Sequence, residues 1–477
     1  MLARPRRFYL QNRHFSHLLA AWLLLFFLLR TLQHFSFATN AWDLSIFDYA
    51  MSSTLRGEFM AEPFHAFGWG SHLAIHFTPI LFLFVPLYLV FQGPLFLLHL
   101  QVLAVGGASI PLYLIAKRTL QDRRMALAVA GSFLLYRPLL NGLMYDFHPE
   151  MLFPLLVFGS YYFIKAKRSV PWFAVFIVLA LAVKEDFAIY VLFYCLWLGR
   201  KRESRKAGWG AALLSALYIL LVMAVWIPHF RAQVHAPPTY EFTANWHDYG
   251  DSPTQIVREA LAHPGRLLRD LAPLDRVQHL ANYLLPLLFI PLLSPTVLLI
   301  LPPVAVGWFS RIPAMTTFGL HYGAALIPFV FMALMAGLAR LQALGRRNPP
   351  RFAKCWRWLF LLILTVNAAN FKWNLFSPEQ YRIIQDYPRL RNCLRSLPAQ
   401  ASVASQSALI PHVPKRRGIS MLPEIGDAEY VLLHLGLNPW PLEPERLREL
   451  AEGLQRSPQY RRLCGSSSLF LYRKVRD

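Results

Sequence analysis

Runs of about 20 mostly apolar residues, each long enough to cross a bilayer, alternate along this chain with short polar stretches. The first, His17 to Phe37, follows the basic segment Met1 to Arg13 without a small-residue cleavage site, and is read as a retained span. The polar stretch Asn40 to Pro79 comes next, and Thr78-Pro79 predicts a helix starting at Pro79 with Thr78 as its cap. Pro79 to Phe91 is about half a crossing, so it reads as an interfacial or re-entrant helix, with the second span at Pro94 to Ala116. A third span runs from Met125 to about Met144, and a fourth returns to Lys165. Val170 to Leu198 goes out and back, turning at Lys184-Glu-Asp186. Gly208 to Ile227 is followed by a long loop, a proline-rich hairpin over Ala281 to Phe309 that breaks near Ser294-Pro295, and spans at His321 to Arg340 and Trp358 to Trp373. The expectation is an α-helical polytopic membrane protein of about 11 spans.

From residue 375 the period changes. Ser402-Val-Ala-Ser, Glu429-Tyr-Val-Leu-Leu-His and Ser468 to Val475 read as strands, and Leu442 to Leu454 as a helix with Leu447, Leu450 and Leu454 on one side. The expected organisation is therefore a transmembrane domain, residues 1–374, with external loops at about 38–94 and 228–280, and a small α/β domain, residues 375–477.

Composition agrees with a membrane protein: 56% of residues are hydrophobic and 16% charged, against roughly 25% charged in a soluble domain. The formal charge of +22 does not point to nucleic acid, because Lys and Arg gather in clusters between apolar runs, as the positive-inside rule requires. That bias places the N-terminus in the cytoplasm, the polar motifs on the opposite face and the C-terminal domain outside a cell (inner) membrane. None of the four cysteines forms a CxxC pair. Cys393 and Cys464 share one segment and either pair, if it is exported, or remain thiols.

The chemistry collects on the outer face. Asp43 and Asp48 are candidate catalytic acids; on a helix, five residues turn about 500°, so they would not share a face. One can take the proton of an attacking hydroxyl while the other caps a helix or binds a cation; both also suit solvated interfacial acids. Tyr145-Asp-Phe-His-Pro-Glu150 can present Asp146, His148 and Glu150 from one extended turn, and His76 with Asp146 and His148 offers imidazole and carboxylate to a divalent cation, the one candidate cofactor. Lys184, Glu185 and Asp186 are costly charges inside an apolar segment, which face a cavity or pair with one another. Lys184 is the natural phosphate contact, with Arg137, Arg311 and His321 as further candidates beside Tyr322. His14, His65 and His99 read as structural.

Asp43-Leu-Ser-Ile-Phe-Asp48, His76-Phe-Thr-Pro79, Tyr145-Asp-Phe-His-Pro-Glu150, Lys184-Glu-Asp186 and His321-Tyr322, in that order, resemble a family of predicted prokaryotic membrane proteins, the domain of unknown function 2079. That family is similar in turn to the GT-C superfamily of membrane glycosyltransferases. The resemblance implies a GT-C-like fold and transfer of a sugar from a polyprenyl-phosphate donor to a glycan, lipid or protein acceptor on the outer face. It places the essential acid at Asp43, with Asp48 second. Two other readings of the same residues are a transporter or lipid flippase with Lys184, Glu185 and Asp186 along its pathway, and a non-catalytic scaffold.

Overall fold

The computed structural model describes residues 9–65, 67–237, 245–246, 248–250, 252–263, 265–266, 269, 274–345 and 349–475. The basic segment before Tyr9 and part of the 228–280 loop lie outside the described residues.

The chain is mostly helical. Arg13–Phe35, Pro94–Leu120, Arg202–Gln233 and Tyr322–Gly345 are long and apolar enough to cross a membrane. Arg123–Leu135 and Arg137–Leu143 make a fifth candidate if the pair, bent by 44°, counts as one span. The bend falls where Pro138 can neither continue the ladder nor donate to it. Four shorter apolar helices, Val170–Leu181, Phe187–Gly199, Pro295–Trp308 and Cys355–Ala369, fall below crossing length. Among the described residues four or five candidates thus reach full length against the about eleven expected, because charged turns such as Lys184-Glu-Asp186 and prolines such as Pro295 interrupt the apolar stretches. Between Leu285 and Ile300 the backbone is a series of 3-10 turns, with Ser294 extended at the expected break.

Pro94–Leu120 is the hub, packed against Arg13–Phe35, Arg123–Leu135, Phe153–Tyr162 and Ile327–Gly345. Gly106 lets the first helix come close, since a Cβ there would stand 2.7 Å from Leu23. On the Arg202–Gln233 helix, by contrast, Leu213, Leu217 and Leu220 face outward, an apolar stripe that water would not tolerate and lipid would.

After a hairpin of β1 Ala61–His65 and β2 Gly68–Ser71, the C-terminal region carries β3 Val403–Ser405, β4 Ile419–Met421, β5 Tyr430–His434, β6 Tyr460–Gly465 and β7 Leu469–Lys474, a five-stranded mixed sheet in the order β4-β3-β5-β7-β6. β3 pairs in parallel with β4 and β5, while β7 runs antiparallel to β5 and β6. The period of two in β5 sends Val431 and Leu433 towards Leu447, Ala451 and Leu454 of the Pro444–Arg456 helix. Leu432 faces the other side, where the Tyr387–Arg395 helix packs and a Cys393–Cys464 disulfide joins that helix to β6. Strands β4 and β6 are absent from the hydropathy reading. The first is three residues long, and the second carries Arg461 and Arg462 on an edge, which hides its alternation.

The second face of this sheet is covered by the start of the chain. Phe37, Ala41 and Tyr49 share a core with Leu390, Val403 and Leu409. The Ala41 N–H donates to the Ser407 carbonyl at 3.0 Å, and the His34 and His412 rings stack at 4.3 Å. The loop after the first helix is therefore held from both sides, by the helical bundle and by the C-terminal sheet.

Candidate functional site

Asp43 does not lie on a helix. Trp42 is extended and Asp43 has φ 77° and ψ −72° before the chain enters the Ile46–Thr54 helix. That conformation is unfavourable for a residue with a Cβ, and it persists only where its surroundings hold it. Here the surroundings are specific. Asp43 Oδ1 lies 3.2 Å from His148 Nε2, and the Tyr145 hydroxyl donates to Oδ2 at 3.0 Å. The carboxylate keeps 18% of its side-chain surface exposed while His148 keeps 4%, so the acid is reachable from outside and its partner is not.

His148 is placed by a residue the motif reading passed over. Gln101, fully buried on the Pro94–Leu120 helix, accepts from the His148 N–H at 2.8 Å. Its amide donates to the carbonyls of Gly142 and Leu143 at 3.2 Å and of Asp146 at 3.4 Å. One side chain thus brackets the whole turn from 142 to 148. A glutamine in an apolar helix is the only sequence signal it offers, and such a residue has many structural uses.

From His148 the contacts continue inward. His321 stacks on His148 at 3.4 Å, with Tyr145 beside both rings. His321 Nε2 is 4.0 Å from Glu150, which pairs with Lys184 at 3.1 Å. Tyr322 packs against His321 at 4.1 Å. Lys184, Glu185 and Asp186 form the turn between Val170–Leu181 and Phe187–Gly199. Glu185 accepts from the Phe77 N–H at 2.8 Å and lies 2.7 Å from His76 Nδ1. The loop before Pro79 and the Lys184 turn are stitched further by the Ile80 N–H to Ala182 carbonyl bond at 2.9 Å. Asp43, His76, His148, Glu150, Lys184, Glu185, His321 and Tyr322 thus belong to one connected set.

Several expectations land elsewhere. Asp48 is buried in the Ile46–Thr54 helix, accepts from the Tyr88 hydroxyl and pairs with Lys415 of the C-terminal region at 2.9 Å. It faces that region and not Asp43's partners. Asp146, His148 and Glu150 do not converge on one point: an extended His148 sends Asp146 to the Asn40 N–H at 3.0 Å, His148 to Asp43 and Glu150 to Lys184. His76, Asp146 and His148 are accordingly not a ligand set. Among the described residues, the three donors within 4.8 Å of one another are Glu62, His65 and His72. Thr78 makes no capping bond, and Pro79 opens a 3-10 turn ahead of the Val85–Val90 helix. Arg311 pairs with Asp248, and Arg137 is exposed.

The charges in the connecting segments follow from these neighbours. Burial opposes the Asp43 carboxylate, but His148, His321 and Tyr145 outweigh it and hold its pKa below the ordinary value. Burial likewise works against charge on His148, and Asp43 with Glu150 reverses it, raising the imidazole. Each shift favours the charged form of its own group, so the two reinforce one another across the 3.2 Å contact. Asp146 is pushed up to about 7, first by burial, with Arg30 opposing and Asp43 adding to the rise. Burial also raises Asp48, against the Lys415 ammonium.

A separate cleft of about 960 Å³ is lined by Arg266, Arg269, Arg276 and Arg311 together with Trp308 and Phe309. It holds none of the Asp43 set, and Asp248 and Glu259 in the same lining pair with Arg311 and Arg266.

Among families, one described as a predicted membrane protein, DUF2079, matches residues 33–462. No curated protein matches the chain.

Proposed function

The chain belongs to the DUF2079 family of predicted membrane proteins, and on that premise we propose that it is an integral membrane glycosyltransferase of GT-C type. In this reading the bilayer holds the four or five full-length helices, and the shorter apolar helices complete a bundle of about eleven spans by tilting or pairing. The N-terminus is cytoplasmic, and the Asp43 set and C-terminal sheet face outward.

The observation that carries the proposal is Asp43: a carboxylate in a strained backbone, gripped on both oxygens by His148 and Tyr145, yet still open to solvent. In the reaction, the bond between the anomeric carbon of the donor sugar and its phosphate oxygen breaks, and the electron pair leaves on the phosphate. The acceptor oxygen bonds to that carbon, and its proton passes to Asp43. An oxocarbenium-like transition state delays the proton transfer, so a carboxylate of lowered pKa remains an adequate acceptor. His148 and Tyr145 fix the direction of the Asp43 lone pairs. Lys184 supplies positive charge near the departing phosphate, where fixed electrostatics contribute more than protonation.

The test is incubation of purified protein in lipid with a panel of radiolabelled polyprenyl-phosphate sugars. Loss of label from one carrier supports the reading. Movement of an intact lipid or solute across proteoliposomes, with no covalent change in any donor, would replace it with transport along the buried Lys184 and Glu150 charges.

A further inference from the structure

Beside the Asp43 set, three side chains on one hairpin converge without forming a satisfied hydrogen-bond network. Glu62 and His65 lie on β1, Ala61–His65, and His72 follows β2, Gly68–Ser71. In a regular strand, residues three apart point to opposite faces. Here the pairing runs Glu62 opposite Gly70 and His65 opposite Gly68, so β1 carries one extra residue. That bulge turns both side chains the same way, a common use of bulges beside functional sites. Glu62 Oε1 and His65 Nε2 lie 2.9 Å apart. One donor atom from each of the three residues falls within 4.8 Å of the others.

The burial of this cluster needs an explanation. Glu62 is 0% exposed and His72 2%. Neither ring nitrogen of His72 has a hydrogen-bond partner, and Glu62 Oε1 and His65 Nε2 also lack a hydrogen bond of good geometry. Buried polar atoms are normally paired, so an orphaned imidazole inside a protein calls for a missing partner. Glu62 is already oriented: its Oε2 accepts from the Phe64 N–H at 2.7 Å, which fixes the carboxylate and leaves Oε1 facing the histidines. A backbone donor holding one oxygen of a ligating carboxylate is the usual outer-shell arrangement of a metal site.

We propose that Glu62, His65 and His72 bind one divalent transition-metal ion of the zinc class. Two imidazoles and one carboxylate leave the fourth position of a tetrahedron open. Imidazole donors favour zinc-class ions over magnesium or calcium, which take all-oxygen sets. The ion staples a two-stranded hairpin that would be marginal alone. It also sits next to the chemistry: the rings of His72 and His76 are 6.0 Å apart, and Phe47 packs against both His72 and His148. The site does not depend on the proposed transfer reaction, since binding can be read without any donor.

The full chain, purified in detergent and stripped with a chelator, is titrated with zinc chloride by calorimetry and by elemental analysis after gel filtration. The expected result is one zinc per chain, a higher thermal midpoint on binding, and no displacement by a hundredfold excess of magnesium or calcium. Glu62→Gln and His72→Gln are each expected to weaken binding at least tenfold and to lose the zinc-dependent rise in midpoint. No stoichiometric zinc in the wild-type chain, or equal affinity in both variants, overturns the proposal. If the variants do not fold, cobalt-loaded wild-type protein decides: visible absorption of a four-coordinate nitrogen and oxygen site supports it, and a six-coordinate aquo-like spectrum overturns it.

Discussion

Asp48 and Lys415 meet at 2.9 Å, one from the helix after the first span and the other from the C-terminal region. Lys415 also donates to the Tyr88 hydroxyl at 2.9 Å, so three parts of the chain converge on one buried carboxylate. This pair, with the Ala41 to Ser407 bond, closes the loop that carries Asp43. Removing only the lysine leaves a buried acid without its counter-charge. Lys415→Ala is expected to cost on the order of 3 kcal/mol, while Asp48→Asn with Lys415→Met together restores most of the loss. Thermal midpoints of the purified proteins in one detergent check both values.

Gln101 makes a second, independent prediction. Gln101→Leu keeps the volume of the side chain but abandons the His148 N–H, which is buried. Leaving that donor and the carbonyls around Gly142 unpaired is expected to cost roughly 2 kcal/mol and to loosen His148 against Asp43. A lowered midpoint accompanied by lowered turnover is the expected result; a lowered midpoint with unchanged turnover would assign Gln101 to packing alone.

The Asp43 and His148 pair predicts a stability window in pH. His148 is raised above its ordinary value of about 6.5, so its contribution is complete below that value and is lost as pH rises through the folded pKa. Asp43 is lowered from its ordinary value of about 3.9, so its contribution is complete above that value and is lost as pH falls through the folded pKa. The pair therefore stabilises most between those two limits. Thermal midpoints across pH should plateau there, and His148→Gln should remove the alkaline decline.

The cysteines report on topology. Cys393 and Cys464 are bonded across 71 residues, whereas Cys355 is a free, exposed thiol on the Pro349–Ala369 helix. On the loop-entropy argument, a closure of that length stabilises by about 4 kcal/mol. In intact membranes a charged maleimide applied from the cytoplasmic side is expected to label Cys355 at once, whereas the half-buried Cys464 is labelled only after reduction and from the opposite side, Cys393 being fully buried. Labelling of Cys355 and Cys464 from one face would reverse the proposed orientation.

Part of this site is legible in the sequence for one physical reason: charge inside apolar sequence is expensive, so Lys184 stands out, and it pairs with Glu150, itself linked through His321 to His148. The proline break at Ser294 and the strand at Tyr430–His434 are visible for equally local reasons. Lys415 is not visible, because it is one of 48 basic residues and its partner lies in another part of the chain. The division between Asp43 and Asp48 depends on the non-helical backbone at Asp43, which the residue spacing does not encode. Glu62 escapes notice and His65 reads as structural because a regular strand would separate them, and only the bulge brings them to one side.

The most direct measurement compares Asp43→Asn with Asp48→Asn in the donor-release assay, each checked for a monodisperse profile and a thermal midpoint. Asp43→Asn is expected to lose at least a hundredfold in turnover, far more than the loss of the His148 contact lowers its midpoint, since the amide keeps the shape but cannot take the acceptor proton. Asp48→Asn is expected mainly to lower the midpoint and to keep most of the turnover. Full turnover by Asp43→Asn, with the loss falling on Asp48→Asn instead, would contradict the Asp43 assignment.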